Sequence, residues 1–175
     1  MAKPLEIVPA KKAEYVRTRT DKYFTKSREV VEKFGDKTVT YGVFMRRRVI
    51  CAINPAIECL REYYPADAAP LKITRAYEEG AFIPDQKPMF TYTGSFANLL
   101  ELETLILQRT GVACVSAYNA YKMAMNLPKT LFIDMHARHA SGDDFSQLAA
   151  YRAPVGSRMA NLQGANGFIG APQDR

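Results

Sequence analysis

The chain has 175 residues, 47% of them hydrophobic and 24% charged, with a formal net charge of +6. That balance suits a globular protein of one domain, or one domain and part of another, and excludes a disordered or collagen-like chain. No apolar run approaches the ~18 residues of a membrane span, and the start lacks the apolar segment of a signal peptide, so a cytoplasmic protein is expected. The basic excess suggests an anionic partner such as a phosphorylated small molecule. The densest basic run is only Arg46, Arg47 and Arg48, too little clustering for a nucleic-acid footprint. Neither nucleic acid nor a membrane is expected as a partner. Cys51, Cys59 and Cys114 fit no metal-ligand spacing and read as reduced, buried thiols.

Residues 1–15 read as a basic, loosely held arm. Thr20 and Asp21 then start a helix over residues 22–34, carrying Tyr23, Phe24, Val30, Val31 and Phe34, with Gly35 as its stop. Residues 38–45 are rich in β-branched and aromatic side chains and predict a strand. Residues 49–53 could extend the same sheet before Asn54 and Pro55 begin a helix running to about Tyr63. Further strands are expected at residues 72–77 and 88–93, with turns at residues 78–80 and 84–85 between them. Gly94 and Ser95 introduce the strongest helical pattern, which continues past Gly111 until Pro128 ends it.

After Pro128 the pattern changes. Residues 130–135 predict a short strand, residues 136–142 a loop, and residues 145–162 a helix with a kink or restart at Pro154. Gly164 stops that helix, and residues 167–170 read as the next strand. This is a βαβ unit, whose two strands must be parallel. A closed eight-stranded barrel needs ~250 residues, so the chain reads as an N-terminal module followed by the first step of a larger α/β domain, cut short.

Both histidines of the chain, His136 and His139, flank Arg138 at the end of the strand before that helix. Ligands of α/β folds collect at the carboxyl ends of strands. An arginine there can bind a phosphate or carboxylate bidentately, and a neighbouring histidine can add a second charge-assisted bond. The same loop also reads as a solvated cap for the following helix, with Ser141 as its N-cap. Tyr23 could stack on a planar ligand or belong to an amphipathic helix face. Arg46, Arg47 and Arg48 could meet phosphate, or form a solvated strand end or a subunit contact. Gly164, Gly167 and Gly170 span a strand, whereas a dinucleotide fingerprint lies between a strand and a helix.

Four ordered segments carry a family resemblance: residues 20–30, residues 88–94 leading into 102–108, residues 135–139, and residues 149–170. Together they resemble the N-terminal portion of bacterial-type nicotinate phosphoribosyltransferases. The resemblance implies an α/β protein, in which an N-terminal α+β module over residues 1–127 precedes the first βαβ unit of an incomplete TIM-like barrel over residues 128–175. It implies that nicotinate is joined to 5-phosphoribosyl 1-pyrophosphate, giving nicotinate mononucleotide and pyrophosphate for NAD biosynthesis, with Mg²⁺ and coupled ATP hydrolysis. Tyr23 matches the aromatic residue that stacks on the pyridine ring, often across a homodimer interface. Arg138 and His139 match the catalytic strand-end residues, and His136 and Gly170 complete the substrate-binding set. The later barrel strands, with the acidic residues for Mg²⁺, would lie beyond this chain or on a partner barrel subunit. The alternatives are a truncated or split, non-catalytic interaction module and a nicotinamide or quinolinate phosphoribosyltransferase.

Overall fold

The computed structural model describes residues 9–165, apart from the side chains of residues 9, 10, 136, 137 and 151, and the backbone of residues 168 and 169. Helix α1 (Pro9–Arg17) occupies half of the segment that the sequence suggested was a loose arm. It is held because Val16 is buried, Tyr15 stacks on Tyr63 at 5.0 Å, and the Lys12 ammonium donates to the Glu62 carbonyl. Lys11 and Glu14 are exposed and Lys12 is half-buried, so the segment reads as polar.

Helix α2 (Lys22–Phe34) has the expected bounds. It buries Phe24 and Val31 and ends at Gly35, whose φ of +96° an L side chain rarely adopts. Strand β1 (Thr38–Phe44) follows. It is paired antiparallel with β5 (Pro88–Ser95), whose other edge takes β3 (Lys72–Arg75), giving the order β1-β5-β3. Strand β3 stops at Arg75, two residues short of the expected end.

Residues 49–53 do not extend this sheet. Only β2 (Val49–Ile50) is a strand, and it pairs with β4 (Phe82–Ile83) in a separate ladder. The chain leaves the strand conformation there because helix α3 (Asn54–Tyr63) starts at once. Glu79, in the turn before β4, holds that start: its carboxylate accepts the amides of Ile53 and Asn54. A carboxylate facing the free amides of a helix N-terminus is favourable.

The core lies where α3 and the long helix α5 (Glu103–Asn126) cover the strands, with Ile50, Ile57, Leu60, Phe90, Leu105 and Ile106 fully or almost fully buried. Ser95 ends β5 and caps α4 (Phe96–Leu99) through the Asn98 amide, and a 3-10 turn over residues 100–102 leads into α5.

Strand β6 (Phe132–Ile133) is shorter than the six residues expected and runs parallel to β7 (Phe168–Ile169). Between them come a 3-10 turn, His136–His139, and helix α6 (Asp143–Asn161). This is the βαβ unit expected from the sequence. Pro154 lies inside a helix that continues past it, with no restart. Helix α6 lies directly on α5: a Cβ on Gly156 would stand 1.7 Å from the Ala117 carbonyl oxygen. The molecule is therefore a mixed α/β structure with small antiparallel sheets and one parallel pair.

Candidate functional site

The first turn of α2 carries Tyr23 into solvent, 59% exposed, with its ring 4.1 Å from that of Phe24. Asp21 stands at the helix start but its side chain does not cap it. The carboxylate instead accepts from the Thr104 hydroxyl of α5 at 3.0 Å. Partial desolvation, then the negative charges of Glu103 and Asp21, push the Tyr23 phenol above its ordinary pKa. The same causes, desolvation first and Asp21 second, raise the Glu103 carboxyl. Tyr23 is thus a protonated ring with a hydroxyl free to donate at neutral pH.

Arg138 and His139 occupy the 3-10 turn that follows β6, and both are exposed. Gly142 follows with a φ of +123°, a conformation that swings the chain into α6. Gly142 holds the N-cap position in place of the expected Ser141. The backbone of His136 belongs to the same turn. Its side chain, together with Gly167 and Gly170, lies outside the described residues.

Three adjoining clefts open along one face of α5. The first, about 720 Å³, lies between Arg19, Thr104 and Gln108 on one side and residues 141–145 on the other. The second, about 390 Å³, runs along α5 beneath Asp134, at the end of β6, and shares Phe145 with the first. The third, about 690 Å³, is walled by residues 44–49 and shares Val115 and Asn119 with the second.

Thr104 links the parts of the site. It lines the first cleft and anchors Asp21, two residues before Tyr23, while the opposite rim begins at Ser141, two residues after His139. The cleft thus lies between segments that neighbour Tyr23 and the strand-end turn in sequence, while Tyr23, Arg138 and His139 are not among the described residues that line it. The sequence did not single out Arg19, Thr104, Gln108, Asp143 or Asp144, which line it. Their polarity was visible, but only the packing of α5 against the neighbouring segments assembles them.

Chemically, the cleft offers a cation, hydroxyl and amide groups, and two carboxylates at the start of α6. Such a mixture suits a polar substrate with both an anionic group and a planar ring. Among the described residues, no group of three or more His, Cys, Asp or Glu side chains could hold a metal ion. None of the described helices is long and apolar enough to cross a membrane.

No protein-family model matches the chain, and no curated protein matches it in sequence. Solved structures do match it in fold. The nicotinate-nucleotide pyrophosphorylase of Francisella tularensis superposes with a TM-score of 0.60 at 18% identity, covering 97% of this chain and 55% of that one. Human nicotinic acid phosphoribosyltransferase gives a TM-score of 0.63 at 19% identity, over 83% of this chain and 38% of that one. The nicotinate-nucleotide pyrophosphorylase of Pyrococcus furiosus gives 0.57 at 20% identity, over 95% and 41%. The chain thus spans about half the length of these structures or less. Its fold is similar to that of the N-terminal portion of nicotinate-nucleotide pyrophosphorylases and nicotinic acid phosphoribosyltransferase.

Proposed function

We propose that the chain is the N-terminal part of a nicotinate phosphoribosyltransferase, which joins nicotinate to 5-phosphoribosyl 1-pyrophosphate and releases pyrophosphate. The observation that carries this reading is the shared cleft: Asp21 beside Tyr23 is tied to Thr104, and Thr104 faces the loop that follows Arg138 and His139. The fold likeness to enzymes named for this chemistry supports it.

In this reading Tyr23 stacks on the pyridine ring of the substrate, its hydroxyl still protonated. Arg138 pairs bidentately with the nicotinate carboxylate or a phosphate, with His136 and His139 donating beside it. Gly170 allows close approach of a phosphate to the backbone. The cations of the strand-end turn stabilise charge as pyrophosphate departs from the ribose carbon. Mg²⁺ and ATP, which the family resemblance implies, would supply charge neutralisation and driving force, with Mg²⁺ held by acidic residues outside the described segment. The remaining barrel strands would come from further chain or from a partner barrel subunit, within a homodimer.

The test is pyrophosphate release from nicotinate and 5-phosphoribosyl 1-pyrophosphate, by this chain alone and with a barrel segment added. Activity only in the combined sample is expected, and Arg138→Ala should raise its KM for nicotinate at least tenfold. Full activity from the chain alone would overturn the division of the site between two segments. No activity in either sample would overturn the enzymatic reading and favour an interaction module.

A second reading, a quinolinate phosphoribosyltransferase, has one observation in its favour. The pyrophosphorylase structures cover 95% and 97% of this chain, against 83% for the nicotinic acid enzyme. Quinolinate carries two carboxylates and calls for more than one arginine around the ring. Tighter binding of quinolinate than of nicotinate in the combined sample would select it.

A further inference from the structure

The third cleft contains the basic run that the proposed reaction leaves unused. The loop from β1 to β2 bears Arg46, Arg47 and Arg48 in succession, all exposed, and it walls one side. The floor is α5, through Leu107, Val115 and Tyr118, with Phe44 opposite. Phe44, Leu107 and Val115 are 51%, 47% and 43% exposed, so this floor is an open apolar surface. No Asp or Glu lines the cleft.

The three arginines are not equivalent. The Arg48 guanidinium lies 4.8 Å from the centre of the Phe82 ring, and Phe82 meets Tyr121 edge-on at 4.8 Å. Tyr121 donates to Gln163, past the end of α6, at 2.9 Å. This ladder fixes the loop against the body of the protein. Arg46 and Arg47 form no ion pair among the described residues and line the cleft. Two forked cations beside an apolar floor complement a ligand with an anionic head and a flat carbon body. The volume of about 690 Å³ is that of a small-molecule site.

We propose that this cleft binds an aromatic anion, a planar ring bearing a phosphate or carboxylate, with the head group on Arg46 and Arg47 and the ring on Leu107, Val115 and Tyr118. The site does not depend on the phosphoribosyltransferase reading. Its lining includes neither Tyr23 nor any residue of the strand-end turn.

The experiment titrates the isotopically labelled full chain with 1-naphthyl phosphate, 1-naphthoate, 1-naphthol and inorganic phosphate, following amide shifts by NMR. At least one naphthyl anion is expected to bind saturably, shifting residues 44–49 and 107–119. It should bind at least tenfold more tightly than 1-naphthol or inorganic phosphate. The tighter of the two naphthyl anions names the preferred head group. The double variant Arg46→Gln, Arg47→Gln should weaken that binding at least tenfold, with the remaining amide shifts unchanged as proof of folding. Equal binding of 1-naphthol would remove the anion from the proposal, and equal binding of inorganic phosphate would remove the apolar floor. Shifts confined to residues 132–145, or an unchanged affinity in the double variant, would place the ligand elsewhere.

Discussion

Single residues differ widely in what they contribute, and burial decides the order. Glu101 is only 4% exposed, and Arg28 pairs with it while Arg17 stands 4.0 Å away. Its neighbour in the network, Glu32, meets the same Arg28 from a largely exposed position. Removing a buried partner leaves uncompensated charge, whereas an exposed pair contributes little. Arg28 and Arg17 retain some solvent, so Glu101→Gln should cost about 2 kcal/mol and Glu32→Gln less than about 0.5 kcal/mol in urea unfolding. Equal losses would mean that Glu101 carries no special role in joining α1, α2 and the turn before α5. Asp36 gives a pH-dependent case. Desolvation alone would raise its carboxyl, but hydrogen bonds from Ser95 and from the amides of Ala97, Lys37 and Phe96 outweigh it and hold the pKa below the usual range. A carboxyl with a lowered folded pKa stabilises fully above its unfolded value of about 4, and that contribution disappears as pH falls through the folded value. Asp36→Ala should therefore cost about 1 kcal/mol at pH 7, a modest figure because the group is exposed. The gap between variant and parent should narrow as pH falls from about 4 through the lowered folded value; a gap constant from pH 7 to pH 2 would show that the charge is not responsible.

Between elements, the crossing of α5 and α6 is set by small residues. Ala113, Ala117, Ala120 and Ala124 on α5 are buried, as are Ala149, Ala153 and Ala160 on α6, and Gly156 of α6 lies against the α5 backbone at Ala117. In an uncrowded helix Gly→Ala stabilises by about 1 kcal/mol. Here the added methyl would meet the Ala117 carbonyl at 1.7 Å, so Gly156→Ala should instead destabilise by about 3 kcal/mol, measured as a lowered urea midpoint. A stabilised variant would refute the close crossing. Such crossings also explain what could be read in advance. The bounds of α2 and α3 were legible because local signals frame an apolar periodicity, Asp21 as start and Gly35 as stop for the first, Asn54 and Pro55 as the start of the second. The amides opening α3 are in fact satisfied by Glu79, far along the chain, and nothing near Asn54 announces that. Strand β4 is only two residues between turn signals, and its pairing with β2 is non-local. Helix α1 shows too few apolar positions to stand out from its lysines. At the candidate site Tyr23, Arg138 and His139 were legible as chemistry, while Thr104 and Gln108 became visible only when α5 was set beside residues 141–145.

Across the whole molecule, stability should fall from the three-stranded sheet toward the βαβ unit. In the sheet, β5 is paired on both edges, and Phe90 and Tyr92 are almost fully buried. Strands β6 and β7 form a two-residue parallel ladder, with Leu131 55% and Ile133 65% exposed beside it. Parallel strands are normally covered on both faces, and a ladder of two short strands adds little cooperativity of its own. Helix α6 is the stronger link, because it lies on α5 and its Arg152 reaches Glu79, the residue that caps α3. Native-state hydrogen exchange should accordingly rank the amides of residues 90–93 near global unfolding, those of α6 below them, and those of residues 132 and 133 near free exchange. This order bears on function, since Arg138 and His139 follow the least protected strand directly. A strand-end turn can hold an arginine in one geometry only if its strand is fixed, and precise placement is what gives such a group catalytic value. If further barrel strands complete the site, adding them should slow exchange at residues 132 and 133 at least tenfold while leaving residues 90–93 unchanged. Strong protection of residues 132 and 133 in the chain alone would mean that the turn is already organised, and the site would then need no added strand to fix it.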